Sequence, residues 1–510
     1  MALPPARSRW LAAWWRCRPR SWSHVRPGEL GTLKHESFSD NNIVNVAIPT
    51  IQRSLHLSVS GLEWVVSSYL LTLAGLLLVG GRLADVYGRR RLFLLGLGVF
   101  TLSSLAAGLA GSVGVLIASR AIQGVGAALL MPATLAIIVA AFTDIRERTM
   151  AIGIWAAVGA LALAGGPALG GVISQHFRWG WIFLINVPLG VITFAVAVRH
   201  VRESRESAAV RRLDVSGLVT SAVSLFALTY ALIEGNVRGW TSPVILGAFA
   251  LAAVAVAAFL AIESRTAIPM VDLTMFRRRE FSGGIGTMMI WAFGILGIYF
   301  FTSLYLQEIL GFSPVKAGLA FVPMALCVAV FATIAPRVEA RAGAHHTVAF
   351  GMLLMVAGLV LFARLGLNVT YPALLPGFML FGAGAGLMNV PLTNATMAAT
   401  PAVRAGIASA LLNASREVAG LLGITVIGAV LSTRRGAALR SGADPVHAFL
   451  DGYHTGLLVT IALMAAGVVV SYLTLRPRAG AVTQTSEITT VTEIEGIGES
   501  LGELVVPDAR

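Results

Sequence analysis

Apolar residues along this chain gather into runs of about 18 to 25, the length that carries an α-helix across a hydrocarbon layer of ~30 Å. Short segments containing Arg, Pro and Gly separate the runs. The pattern predicts spans at about Trp64–Leu83, Leu92–Ala110, Val113–Ala140, Met150–Ile173, Trp181–Val198, Leu213–Ile233 and Pro243–Ile262. A second series follows at about Phe281–Leu304, Val315–Ala335, Thr347–Leu365, Tyr371–Met397, Gly406–Leu431 and Gly456–Leu475. Asn41–Ile51 reads as the end of one more helix. It is too short to cross alone, because the polar Lys34-His35-Glu36-Ser37 precedes it.

With that half-length segment numbered first, the even-to-odd loops hold roughly twenty Lys and Arg against about eight in the others. Those loops, and with them both termini, are expected in the cytoplasm. Arg89-Arg90-Arg91, the group Arg199, Arg202, Arg205, Arg211 and Arg212, and Arg277-Arg278-Arg279 carry the bias. Orientation suffices to explain the last two groups.

The ends of the chain differ from its body. Residues 1–39 form a basic extension with Arg7, Arg9, Arg16, Arg18 and Arg20 around a short Trp-rich patch. The apolar run in it breaks too early for a signal-peptide core. Its composition resembles translation out of frame, so the expectation is either a misassigned start upstream of about Ser39 or a truncated first span. Residues 477–510 are rich in Thr, Glu, Gly and Ser and hold too few apolar residues for a core, which predicts a disordered cytoplasmic tail. Gly498-Glu499-Ser500-Leu501-Gly502 within it matches a hydrolase nucleophile elbow by chance, since no strand-to-helix context surrounds it.

Composition agrees with a polytopic chain. A hydrophobic share of 56% against 12% charged residues exceeds what a soluble core of 510 residues encloses, so lipid must cover the excess. The net charge of +13 does not imply nucleic acid, because the basic residues recur at helix ends rather than on one face interleaved with aromatics. The only lysines, Lys34 and Lys316, lack a phosphate-loop setting, so ATP hydrolysis is not expected and uphill work should draw on an ion gradient. Cys17 and Cys327 make neither a disulfide framework nor a metal site. His345-His346 stands apart from other catalytic residue types, so no enzyme, cofactor or metal is expected.

Three segments carry chemistry. Gly81-Arg82-Leu83-Ala84-Asp85-Val86-Tyr87-Gly88-Arg89-Arg90-Arg91 sets one acid among cations in a tight turn. Asp85 can pair with Arg or a helix N-terminus in one conformer and release it in another. Arg120, in Arg120-Ala121-Ile122-Gln123-Gly124, lies inside an apolar span at a cost of about 2.5 to 3.5 kcal/mol unless it faces a partner or water. A cavity-facing role in proton coupling is expected, with snorkelling to the interface as the alternative. The span with Gly159 and Gly165-Gly166-Pro167-Ala168-Leu169-Gly170-Gly171 allows close helix approach and bending at the proline, or serves packing alone.

The first of these segments resembles the signature between helices two and three of the major facilitator superfamily, with Val86 where a basic residue is usual. Arg337-Val338-Glu339-Ala340-Arg341-Ala342-Gly343 echoes it in the second half. The Gly159 to Gly171 stretch is similar to the antiporter signature of that superfamily's exporters. Asp40-Asn41-Asn42-Ile43-Val44-Asn45-Val46-Ala47-Ile48-Pro49 resembles the first-helix motif of the fourteen-helix drug:proton antiporters, with Asn42 replacing Thr. Tyr305-Leu306-Gln307, Gly382-Ala383-Gly384-Ala385-Gly386 and Asn413-Ala414-Ser415-Arg416-Glu417 are similar to that family's second half, with Glu417 where Gln is expected.

The resemblance implies an all-α fold with two six-helix halves, residues 40–200 and 281–476, and a peripheral helix pair inserted within 201–280. It implies proton coupling through Asp40, Arg120, Arg416 and Glu417, and a monomer exporting small organic compounds across the plasma membrane by proton exchange. A metabolite symporter of the same fold and a non-transporting membrane sensor are the alternatives.

Overall fold

A computed structural model describes residues 43–142, 147, 150–151, 165–204, 214–266, 269, 271–367, 369–400 and 405–476. The basic extension, Asp40, Gly159 and the C-terminal tail lie outside the described residues. Helices follow one another as α1 (43–55), α2 (Val59–Tyr87), α3 (Arg89–Gly108), α4 (Val113–Ala141), α5 (165–176) and α6 (Trp181–His200). Next come α7 (Val215–Arg238) and α8 (Pro243–Arg265). The series ends with α9 (Arg279–Ile309), α10 (Pro314–Ala342), α11 (Ala344–Phe362), α12 (Tyr371–Ala398), α13 (Ala405–Arg440) and α14 (Pro445–Thr474). Among the described residues twelve helices are long and apolar enough to span a membrane, with α1 and α5 described in part.

Local chemistry fixes the helix starts. Ser58 accepts the Gly61 N–H at 3.2 Å, Ser313 that of Lys316 at 3.3 Å, and Asp444 that of Val446 at 3.0 Å. Pro314 and Pro445 follow two of these caps, where a missing N–H costs nothing. Backbone rules also explain where the elements depart from the hydropathy reading. The expected span Trp181–Val198 is interrupted at Ile185, because Pro188 has no N–H for the Leu184 carbonyl. The break in α10 at Phe321 has the same cause in Pro323. Conversely α13 continues to Arg440 and α14 begins at Pro445, well beyond the apolar runs. Hydropathy marks where a helix leaves lipid, whereas its end is set by breakers, here Gly442 at φ 85°.

Helix α4 packs on α2 and α3, and α6 on α3; in the second half α12 packs on α10 and α11, while α9 packs on α13 and α14. One contact recurs in both halves. A Cβ on Gly96 would stand 2.8 Å from the Gly126 carbonyl oxygen in the α3–α4 seam, and one on Gly351 would stand 2.8 Å from that of Gly384 between α11 and α12. Helices α7 and α8 pair with each other, and α7 lies against both α2 and α13, which also touch directly.

Candidate functional site

At the Arg-rich turn, α2 ends at Gly88, whose φ of 113° strains any other residue. Arg90 donates its backbone N–H to Glu203 Oε1 at 3.1 Å, and the Arg91 guanidinium lies 3.7 Å from Glu203 Oε2. The Arg90 guanidinium donates to the Val198 carbonyl at 2.7 Å, and Arg89 N–H to the Ser204 carbonyl at 3.0 Å. A carboxylate thus sits at the N-terminus of α3, where the helix dipole favours it. Hydropathy and charge bias alone do not single out Glu203, which lies between Arg202 and Arg205. Asp85 occupies the last turn of α2 and its side chain is outside the description, while Gly81 packs toward Pro132 of α4.

Arg120 does not snorkel. It is fully buried among α2, α3, α4 and α6. Its Nε donates to the Val65 carbonyl at 3.2 Å and a terminal nitrogen to Gln123 Oε1 at 2.6 Å. Gln123 in turn donates to Ser104 Oγ at 2.7 Å, and the guanidinium covers the Tyr69 ring at 4.3 Å. On α13, Arg416 and Glu417 form an ion pair of 2.8 Å, with Glu417 buried.

The glycine-proline segment lies where the two halves meet. Gly166, Pro167, Gly170 and Gly171 are buried, whereas Gly165 faces open space. A Cβ on Gly171 would strike the Pro314 carbonyl, and one on Gly318 would strike that of Pro167, so α5 and α10 touch backbone to backbone. Gly170 meets the backbone of Ile43 in α1, and Val315 N–H donates to Gln175 at 3.3 Å.

Beside this seam, α9 grips α1. Pro49 has no N–H, so the Asn45 carbonyl lacks its helical donor. Ser303 Oγ supplies one at 2.9 Å, and one turn further Gln307 Nε2 donates to the Val46 carbonyl at 2.9 Å. Among the described residues the buried Asn45 Oδ1 and Gln307 Oε1 atoms have no hydrogen-bond partners there.

The inserted pair reaches this region too. Trp64 of α2 donates to Glu234 of α7 at 3.0 Å, while Asn236 of α7 donates to the Ala429 carbonyl at 3.2 Å and accepts from Thr433 at 2.6 Å. Helix α7 therefore holds both halves at once. All these cross-half contacts lie in the part of the bundle away from the Arg89–Arg91 turn. At the opposite end, Arg278 holds the Ala399 carbonyl and Arg279 that of Arg476, both within the second half. No group of three His, Cys, Asp or Glu fit for a metal occurs among the described residues.

The Major Facilitator Superfamily model matches residues 37–424. The multidrug resistance protein Stp of Mycobacterium tuberculosis is 38% identical over 80% of this chain and 77% of its own length. The tetracenomycin C resistance and export protein of Streptomyces glaucescens is 35% identical over 82% of this chain and 77% of its own. The puromycin resistance protein pur8 of Streptomyces alboniger is 35% identical over 84% and 86%. In fold, the chain is similar to a bacterial homologue of the human lysosomal transporter Spinster in its inward-facing, unoccupied conformation. That likeness has a TM-score of 0.63 at 16% identity and covers 88% of this chain and 96% of that one.

Proposed function

The chain belongs to the major facilitator superfamily of multi-pass membrane transporters, and from that membership we propose that it exports drug-like or antibiotic compounds in exchange for protons. The backbone contact of the Gly166–Gly171 segment with α10 across the two halves supports alternating access, and the resemblance of that segment to the exporters' antiporter signature supports export. Seams of glycine can close and part without repacking side chains, as alternating access requires. The names of the relatives, which are resistance and export proteins, support the same direction.

In this reading the Arg89–Arg91 end faces the cytoplasm by the positive-inside bias, and both termini with it. The seam between halves is closed on the outer side, so the conformer is inward-facing. Asp40, Arg120, Arg416 and Glu417 carry proton coupling, and Asp85 acts with the Arg turn as a latch. For an uncharged substrate one proton moving down 100 mV contributes about 2.3 kcal/mol, enough for a gradient of roughly fifty-fold. Exchange of one proton for a monovalent cation is electroneutral and is driven by the pH gradient alone.

Everted vesicles from a host lacking its own pumps test the proposal. Acidifying their interior should drive accumulation of a fluorescent cationic dye, and dye entry should release protons. Dye leaving those vesicles on acidification would mean symport instead. Glu417→Gln should abolish drug-dependent proton release, and release at the parent rate would remove this acid from the coupling.

A further inference from the structure

The predicted span began at Trp64, one residue too late to include the acid before it. Helix α2 starts at Val59, which carries Glu63 into the bundle, where it is 2% exposed. Its carboxyl lies across the backbone of α13 in the other half: a Cβ on Gly428 would stand 2.6 Å from Glu63 Cδ. Among the described residues no hydrogen bond or ion pair reaches that carboxyl. One turn along the same face, Ser67 Oγ is also buried without a partner.

The charged groups on the elements around Glu63 are engaged elsewhere. On α7, Glu234 accepts from Trp64 at 3.0 Å and pairs with Arg238 at 3.3 Å, and as a second acid it repels an ionised Glu63. On α4, Arg120 is directed to the Val65 carbonyl and Gln123. On α1, Arg53 donates to the Pro49 carbonyl, and on α13, Arg435 covers the Phe449 ring while Arg434 lies exposed. An ionised carboxylate closed into this seam would lose its hydration and gain no cation or donor, a cost a neutral acid avoids.

We propose that Glu63 is a proton-binding site of the outer seam, taking a proton from outer water as α2 and α13 close and returning it when they part. The proposal rests on the alternating-access reading above. It assigns Glu63 a task separate from the coupling acids: the proton enters and leaves on the same side, so Glu63 adds no net translocation. Outer acid then favours closure, the step that returns the emptied carrier to the cytoplasmic side. Gly428 is the matching residue, since only a residue without Cβ leaves room for the carboxyl.

The test uses the full chain in nanodiscs with Cys17 and Cys327 replaced by Ser and spin labels at His56→Cys and Leu439→Cys. No drug or gradient is present, so failed efflux beside an intact response would sink the exporter reading alone. In the parent, lowering pH should shift the label distance tenfold or more toward the short, closed population. Glu63→Gln should stay short across the range, and the acid-induced infrared carbonyl band of a protonated carboxylic acid should shrink. Titration of Glu63→Gln like the parent overturns the proposal, as does closure by Na⁺ at constant pH. If that variant does not fold, Glu63→Asp replaces it: its pH midpoint should move at least threefold in proton concentration, and an unmoved midpoint overturns the proposal.

Discussion

Ser303 donates its hydroxyl to the carbonyl of Asn45 at 2.9 Å, satisfying the one group in that turn of α1 that Pro49 deprives of a helical donor. The proline thus creates an acceptor on one half, and the serine on the other half uses it. This contact between the halves runs from a side-chain hydroxyl to a backbone carbonyl, so it cannot be read as apolar packing.

Ser303→Ala should leave that buried carbonyl unpaired in the closed conformer, at a cost of about 1 to 3 kcal/mol. The expected result is a roughly ten-fold shift toward outward-open molecules. Labelling of a cysteine placed in the outer seam measures it. In a Pro49→Ala background the N–H of residue 49 restores the acceptor's partner, and the same serine change should then have a much smaller effect.

Gly318→Leu should abolish efflux with the protein inserted at normal abundance, because any side chain at this position meets the Pro167 carbonyl of α5. Gly165→Ala is the control. Among the described residues nothing lies within 4 Å of a Cβ there, and turnover should stay near that of the parent. Equal activity of the two variants would reduce the segment to incidental composition.

Asp85→Asn should strongly reduce transport at equal abundance if the latch acts through charge. Glu203→Gln should lower thermal stability in detergent by about 0.5 to 1 kcal/mol equivalent, since it removes a carboxylate from the N-terminus of α3. A stable Glu203→Gln protein that transports normally would leave Asp85 as the latch acid at this turn.

Arg120→Lys keeps the charge and loses the planar fork that serves Val65, Gln123 and the Tyr69 ring together. Drug-dependent proton release should fall at least ten-fold, while circular dichroism shows the helices retained. Unchanged release would mean that charge alone suffices at this position.

Sequence alone determined the helical membrane architecture, because the length of an apolar run is fixed by bilayer thickness and the backbone must satisfy its own hydrogen bonds there. It also identified Arg120 as anomalous and the glycine-proline segment as a place of close approach, since both violate what an ordinary lipid-facing helix tolerates. The partners across the fold were not legible. Glu203 meets Arg90 from more than a hundred positions away, and Ser303 meets Asn45 from 258. Hydropathy is a property of a window and carries no information about which faces of distant helices meet. For the same reason the apolar run reads as starting at Trp64 and leaves out Glu63, one residue earlier. Only the docking of α2 on α13 over Gly428 buries that acid, and only the bridging of Trp64 and Ala429 by α7 makes the inserted pair part of the seam.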